Sequence, residues 1–352
     1  MRREHGVVEA EEALAQLDRY DTIVDVRSES EFAEDHIPDA IACPVLSDDE
    51  RREVGTMDRQ NSSFEARRRG AALVARNIAR HLEERFADKP RDWRPLVYCW
   101  RGGNRSGSMV HILSRVGWRA EQLHGGYRAY RRAVMAALNT LPAGLRFVVI
   151  CGATGSGKSR LLQHLTAAGS QVLDLEKLAR HRGSVLGGLP SQTQPGQKLF
   201  ESLIWDVLRR CSPERPVFVE SESRKVGNLH VPDQLLLRMR ESECVKLDVP
   251  LMARIRLLRD EYGHFEDDPD SLLSQLEGLI ELHGREKIAR WKALATAQHW
   301  DRMVEQLLTE HYDPAYRRSI ARNFKQVGAA TTIFIASDDN AAYADAARAL
   351  SA

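Results

Sequence analysis

Cysteine is scarce in this chain: five residues, an odd number with no close pairs. That excludes a disulfide framework and a CxxC metal knuckle, so each is read as a lone thiol. Excess charge is missing too. Lys and Arg total 51 against 50 for Asp and Glu, a net charge of +1, so any nucleic-acid partner must be gripped by local patches. No window approaches the roughly eighteen uninterrupted apolar residues of a membrane span. The start, Met1-Arg2-Arg3-Glu4-His5, has no apolar leader core, so a cytoplasmic location and no membrane partner are expected. Internal repeats and low-complexity tracts are also absent. What remains is a globular composition, 43% hydrophobic and 29% charged, in 352 residues, a length that favours two domains over one core.

The first half alternates short apolar strands, at Thr22 to Val26, Ile41 to Pro44 and Pro95 to Cys99, with helical spacing in Ala71 to Phe86 and Ser106 to Val116. Such alternation predicts a parallel sheet covered by helices. The chain loosens at Asn139-Thr-Leu-Pro-Ala-Gly144, where Asn, Pro and Gly together mark a boundary. A second series follows, with strands at Phe147 to Ile150, Gln171 to Leu175, Pro216 to Glu220, Cys244 to Val249 and Thr331 to Ile335, and a helix from about Lys158 to Ala168. Helical periodicity fills Leu272 to Leu282, Lys287 to Ala297 and His299 to Leu308. The expected organisation is an α/β domain over 1–138, a linker at 139–145, and an α/β domain over 146–352 with a helical insertion at about 251–325.

Two anion cradles of different chemistry stand at strand ends. The first is Cys99-Trp100-Arg101-Gly102-Gly103-Asn104-Arg105-Ser106. A cysteine leaving a buried strand, then glycines, then a helix start, aims successive backbone N–H groups into one concavity and favours the thiolate. With an ordinary pKa near 8.5, about 3% of a thiol is ionised at pH 7, and a fall to roughly 6.5 makes the thiolate the majority form. Arg101 and Arg105 add positive charge. Cys43, Cys211 and Cys244 lie in or beside apolar runs and read as packed, as does Cys151.

The second cradle is Gly152-Ala153-Thr154-Gly155-Ser156-Gly157-Lys158-Ser159, the G-x-x-x-x-G-K-S pattern between a strand and a helix. Its glycines let the backbone wrap phosphates, Lys158 neutralises phosphate oxygens, and Ser159 is placed to ligate Mg²⁺. The pattern is strong for a polyphosphate and weak for which one, so ATP stays open. A metal-binding or nucleophile-orienting carboxylate is sought at Glu220 first, then Glu222, with Asp174 as a further candidate, and Arg224 is the basic candidate beside them. Arg254, Arg256 and Arg259 suit a lid, although a solvated helix face is the commoner reason for such a run.

The N-terminal half resembles the rhodanese family. Its marks are Asp25-Val-Arg27-Ser-Glu-Ser-Glu31-Phe32, His36-Ile-Pro38-Asp-Ala40, the Cys99 loop, and Leu123-His-Gly125-Gly126-Tyr127. The resemblance assigns the active thiol to Cys99 and structural roles to Asp25, Arg27 and His36. Arg105 stands six positions after Cys99, one more than in many small rhodaneses. C-x5-R is also the spacing of cysteine phosphatases, which leaves open a phosphatase or an enzyme with a phosphorylated donor.

Over residues 10 to 350 the two cradles, with Val219-Glu220-Ser-Glu222-Ser223-Arg224, resemble the tRNA 2-selenouridine synthase family. That resemblance implies a transferase acting on the wobble 2-thiouridine of tRNA. The sulfur is alkylated with geranyl diphosphate, and selenium from selenophosphate then displaces the S-geranyl group. It implies tRNA, phosphorylated small-molecule donors and a selenophosphate-supplying enzyme as partners, and a P-loop that holds a diphosphate rather than fuelling an ATPase. Candidate tRNA contacts are Arg317, Arg318, Arg322 and Lys325, interleaved with Tyr316 and Phe324. The arginines at 67, 68, 69, 76 and 80 form a second candidate patch, and Trp100 is a candidate for stacking on the uridine or lining a geranyl pocket, with core packing as the alternative. The rival readings are a phosphatase–kinase fusion needing a general acid such as Asp48 or Asp49, a sulfurtransferase with an ATP-binding domain, and a non-catalytic tRNA- or nucleotide-binding module.

Overall fold

The computed structural model describes residues 6–60, 62–184, 186–190 and 192–351. The chain divides into two compact units, one ending at Ala137 and the other starting at Leu138, with Glu201–Leu203 counted in the first.

The first unit runs β1 (Val7–Val8), α1 (Ala10–Ala15), β2 (Thr22–Asp25), α2 (Glu29–Glu34), β3 (Ile41–Ala42), α3 (Asp48–Gln60), α4 (Ser63–Glu84), β4 (Pro95–Tyr98), α5 (Asn104–Val116), β5 (Glu121–Leu123) and the start of α6 (Gly126–Gly144). Its sheet is wholly parallel, in the order β1-β5-β4-β2-β3. Every residue of β4 is buried, as a central parallel strand requires, and Val24, Val97, Met109, Leu113, Phe86 and Trp93 form the core. The sheet aligns Asp25 with Tyr98, so β2 and β4 end side by side and Cys99 leaves the sheet at its carboxyl edge, where open α/β folds place their sites. Ser28 and Glu31 form a reciprocal capping box on α2, and the Ser62 hydroxyl caps α4 by accepting from the Phe64 and Glu65 amides.

The segment expected to loosen at 139–144 is instead the end of α6, with Pro142 inside it. Asn, Pro and Gly signal a helix end as readily as a linker, and here they act at Gly144, where the helix stops.

The second unit continues with β6 (Phe147–Gly152), α7 (Lys158–Ala167), β7 (Gln171–Leu173), α8 (Leu175–Ala179), α9 (Gln197–Arg209), β8 (Val217–Glu220), the hairpin β9 (Lys225–Val226) and β10 (Leu229–His230), α10 (Asp233–Glu241) and β11 (Glu243–Asp248). Helices α11 (Leu251–Glu261), α12 (His264–Asp267), α13 (Pro269–Glu277), α14 (Ile280–His283), α15 (Arg285–Thr296), α16 (Trp300–Leu307) and α17 (Asp313–Asn323) precede β12 (Thr331–Phe334) and α18 (Asn340–Ser351). The parallel sheet has the order β12-β11-β6-β8-β7, which puts the fully buried β6 at its centre. Tyr262, Phe265, Leu272, Trp291, Trp300 and Met303 belong to a core of the helical region. The continuous periodicity of Leu272 to Leu282 is broken at Gly278-Leu279 between α13 and α14. No described helix is long and apolar enough to cross a membrane.

Candidate functional site

Cys99 follows β4 and is 4% exposed, and α5 begins five residues later at Asn104 with Gly103 as its cap. The loop rests on the turn at Gly125-Gly126. Gly126 has φ +55°, and a β-carbon there would strike the Cys99 carbonyl oxygen and the Gly102 amide. The same carbonyl accepts the Tyr127 amide at 2.8 Å. Gln122, on β5, reaches up from below: its Nε2 donates to Gly102 O at 2.6 Å and lies 3.1 Å from Gly103 O and 3.0 Å from Ser106 Oγ.

Within this frame Ser106 Oγ donates to Cys99 Sγ at 3.2 Å. Burial pushes the Cys99 thiol up, but the Ser106 hydroxyl, the Ser106 and Gly103 amides and the Arg105 charge outweigh it, and the thiol lies below its ordinary value. Burial without those donors has the opposite result at Cys43, whose thiol is pushed up to about 11. Cys151 and Cys244 are also buried, and Cys211 is partly so.

Arg105 donates from Nη1 to Glu31 Oε2 at 2.9 Å, and that oxygen also accepts the Ser28 amide at 3.2 Å. The α2 capping box thereby anchors the loop arginine. Arg101 and Asn104 are exposed at the rim. Trp100 is half-buried and stacked on Tyr127 at 5.3 Å between centroids, so one of its faces is already committed to packing. Asp25 and Arg27 are fully buried partners, with Arg27 Nη2 to Asp25 Oδ2 at 2.7 Å and the guanidinium 4.0 Å from the Tyr127 ring centroid. His36 stacks on Phe32 at 4.0 Å and bonds its carbonyl at 2.8 Å. A cleft of about 1550 Å³ opens beside the loop, walled by α4 and α5, with Arg67, Gly103, Arg105 and His111 at its edge. Asp48 is engaged by Ser30 Oγ at 2.6 Å and Asp49 by Arg52, so the general acids considered for a phosphatase already have partners.

The second cradle leaves β6 and turns into α7, with Gly157 at φ +68° as the helix cap. A side chain there would collide with the Tyr343 ring, whose hydroxyl donates to Ser156 O at 3.1 Å. Lys158 Nζ donates to Gly152 O at 3.0 Å, across the mouth of the loop.

Carboxylates gather beside it. Ser159 Oγ donates to Glu176 Oε2 at 2.8 Å, while the Glu176 amide donates to Glu220 Oε1 at 2.8 Å. Asp174 caps α8 by accepting the Lys177 amide at 2.8 Å. Burial, then the neighbouring charge of Glu176, pushes the Glu222 carboxyl up to about 8, with Lys158 opposing. The Glu220 carboxyl is also raised well above its ordinary value, by burial and by Asp174, Glu176 and Glu222. Its second oxygen is buried with no partner among the described residues.

The surrounding cleft, about 610 Å³, is lined by Lys158, Ser159, Asp174, Glu176 and Glu222 among others. Glu220, sought first, lies beneath it rather than in its wall, because β8 ends deep beside β6. Glu176, absent from the sequence reading, takes the place beside Ser159. Arg224 is exposed near Asp233 and does not line the cleft. Arg254 is neither a lid nor solvated: it is buried, donates to the phosphate-loop carbonyl of Thr154 at 2.9 Å and grips Asp313 at 3.0 and 2.5 Å. Arg256 pairs with Asp338, and Arg259 with Glu266 and Asp301.

The basic and aromatic stretch along α17 and the two residues after it splits into an exposed and a cleft-facing set. Arg317, Arg318, Arg322 and Lys325 are exposed, with Lys325 paired to Glu241 at 2.9 Å. Tyr316 and Phe324 line the cleft, and Phe324 is buried, so it is not a surface platform for a base. A five-residue π-helical turn, Leu308–Tyr312, carries His311 and Tyr312 to the cleft, and His311 Nδ1 lies 2.7 Å from His283 Nε2. No helical-periodicity argument singles out either residue, since the turn breaks that period.

Fold and site together define a rhodanese-like thiol-loop domain followed by a P-loop domain. Residues 9–133 match the model of the rhodanese-like domain, and 145–282 match that of the tRNA 2-selenouridine synthase AAA domain. The chain belongs to the tRNA 2-selenouridine synthase family. It is 35% identical over 244 residues to the tRNA 2-selenouridine synthase of Nitrosomonas europaea, covering 68% of this chain and 63% of that one. The Aeromonas salmonicida synthase is 36% identical over 245 residues, covering 69% and 65%. That of Sulfurovum sp. is 29% identical over 334 residues, covering 87% and 90%. The match thus spans just under two thirds of the length of the first two relatives.

Proposed function

We propose that this protein is a tRNA-modifying transferase that converts wobble 2-thiouridine to 2-selenouridine through an S-geranyl intermediate, with geranyl diphosphate and selenophosphate as co-substrates. The observation that carries this reading is the pairing, in one chain of this family, of a lowered Cys99 thiol in an amide-rich loop with a phosphate loop flanked by carboxylates. The names of the relatives support the uridine product, and the chemistry of the two loops supports the division into steps.

In the first step the thiocarbonyl sulfur attacks C1 of the geranyl chain, the C–O bond breaks, and diphosphate leaves as the uridine N3 proton is lost. Lys158 and the amides of Gly155 to Ser159 suit the departing diphosphate. Ser159, Glu176 and Glu222 offer oxygens beside the loop and would hold a Mg²⁺ ion there together with a phosphate ligand. Such an ion would neutralise charge on the leaving group. Among the described residues no three His, Cys, Asp or Glu side chains form a metal site by themselves, so ligand oxygens must complete the shell.

In the second step selenium replaces the alkylated sulfur at C2 and geranylthiol departs. Water oxygen takes the place of selenium on phosphorus, so donor and product balance without an external oxidant. The Cys99 loop, with Arg105 and Arg101 at its edge, receives the phosphorylated selenium donor. A phosphatase–kinase reading has no comparable support, because Asp48 and Asp49 are already paired. The test is mass spectrometry of tRNA nucleosides from a strain lacking the gene, with and without its return. The reading expects 2-selenouridine and S-geranyl-2-thiouridine only when the gene is present, and unchanged levels of both would end it.

A further inference from the structure

The helical region contains an apolar cavity of about 60 Å³, several times the ~10–15 Å³ that one water needs. Leu258, Phe265, Leu272, Trp300, Met303 and Leu307 form most of its wall. Close-packed interiors hold few voids of this size, and polar rather than apolar spaces are the ones that water fills. The charged side chains at its edge are satisfied by each other: Arg259 donates to the two Glu266 carboxylate oxygens at 2.8 and 3.0 Å. At one side Thr154 of the phosphate loop, Ser184, Tyr262 and Tyr312 line both this cavity and the phosphate cleft. A phosphate seat therefore adjoins an apolar recess within one unit of the chain.

We infer that the recess receives the hydrocarbon tail of a prenyl diphosphate whose head rests on the phosphate loop, and that Leu272, Trp300 and Met303 set the tail length. The inference rests on the alkyl-transfer reading above and adds the ligand's second half and the residues that measure it. A nucleoside is the wrong occupant. Its base and ribose carry donors and acceptors that would go unpaired against Phe265, Leu272, Trp300 and Met303, and unpaired buried polar groups disfavour binding. A branched hydrocarbon has no such requirement, and each methylene buried there contributes roughly fourfold in affinity. The volume suits the distal part of a ten-carbon chain, with the proximal part in the shared mouth. On that placement a five-carbon tail would end in the mouth and a fifteen-carbon tail would outgrow the recess.

The test is calorimetric binding of dimethylallyl, geranyl, farnesyl and inorganic diphosphate to the full chain. The expected result is that geranyl binds at least tenfold more tightly than dimethylallyl, and farnesyl more weakly than geranyl. Met303→Trp should cost geranyl at least tenfold while dimethylallyl and inorganic diphosphate stay within about twofold. Leu272→Phe, a smaller intrusion, should act in the same direction and serves if Met303→Trp loses its fold. Trp300→Ala should shift preference towards farnesyl. Equal affinity for the three tails in the unaltered protein, or unchanged ratios in variants that still bind inorganic diphosphate, would overturn the tail site and leave alkyl transfer standing. Binding of ATP with none of the three prenyl diphosphates would overturn both.

Discussion

The Ser106 hydroxyl lies 3.2 Å from the Cys99 sulfur and donates to it, and Gln122 fixes that hydroxyl from the far side. The loop thus gives a buried thiol the donors that an isolated one lacks. Ser106→Ala should slow iodoacetamide alkylation of Cys99 at pH 7 by about tenfold, the equivalent of a charge-assisted hydrogen bond of ~1.5 kcal/mol. The rate–pH profile should move to higher pH, because the thiolate loses a donor. An unmoved profile would mean that the amides and Arg105 suffice.

Gly126→Ala probes the floor of the same loop. The new methyl would collide with the Cys99 carbonyl in a backbone conformation, φ +55°, that non-glycine residues avoid. Urea unfolding should show a loss of ~2 kcal/mol or more, in the range of a residue held in a strained backbone region. Gly144→Ala, where a β-carbon meets nothing within 4 Å, is the control and should change little.

The carboxylate cluster predicts a pH dependence of the opposite sense to ordinary acid unfolding. Glu222 holds its proton more tightly in the folded protein, at about 8 against an ordinary 4.5. Its contribution to stability is complete below the unfolded value and is lost as pH rises through the folded one. Urea midpoints for the protein without Mg²⁺ or phosphates should therefore fall between pH 5 and 8, with a slope of up to ~1.4 kcal/mol per pH unit for one proton. Glu222→Gln should flatten this fall, and a wild-type slope in that variant would assign the effect elsewhere.

Arg254 links the phosphate loop to α17 through Thr154 and Asp313. Arg254→Ala should cost ~3 kcal/mol of stability, as breaking a buried ion pair does. It should also weaken geranyl diphosphate binding, although Arg254 is not among the residues lining the phosphate cleft. Arg256→Ala, which removes an exposed pair with Asp338, should change stability by less than ~1 kcal/mol.

Much of the fold was legible because its signals are local. Apolar runs bounded by glycines marked β4 and β6, and the two loops that follow them announce themselves by spacing. Glu176 and Gln122 were not legible. Glu176 reaches Ser159 only because α8 starts directly after β7, and Gln122 reaches Ser106 only because β5 lies beside β4. Those are pairings across a sheet, which no single stretch of sequence encodes. Glu220 misled for the same reason: a strand-end acid points into or beneath a cleft according to register, and here Ile150↔Glu220 pairing takes it beneath. The mixed stretch from Tyr316 to Lys325 could not be resolved into an exposed basic face and buried aromatics until α17 had a place to pack.

The division of labour between the two loops is tested most directly by single-turnover assays on tRNA bearing 2-thiouridine, with nucleosides quantified by mass spectrometry. The account predicts that Cys99→Ala accumulates S-geranyl-2-thiouridine at close to the wild-type rate and forms no 2-selenouridine. Lys158→Ala should form neither from 2-thiouridine, yet should yield 2-selenouridine from tRNA already S-geranylated. Full 2-selenouridine formation by Cys99→Ala, or loss of both steps in each variant alike, would contradict it.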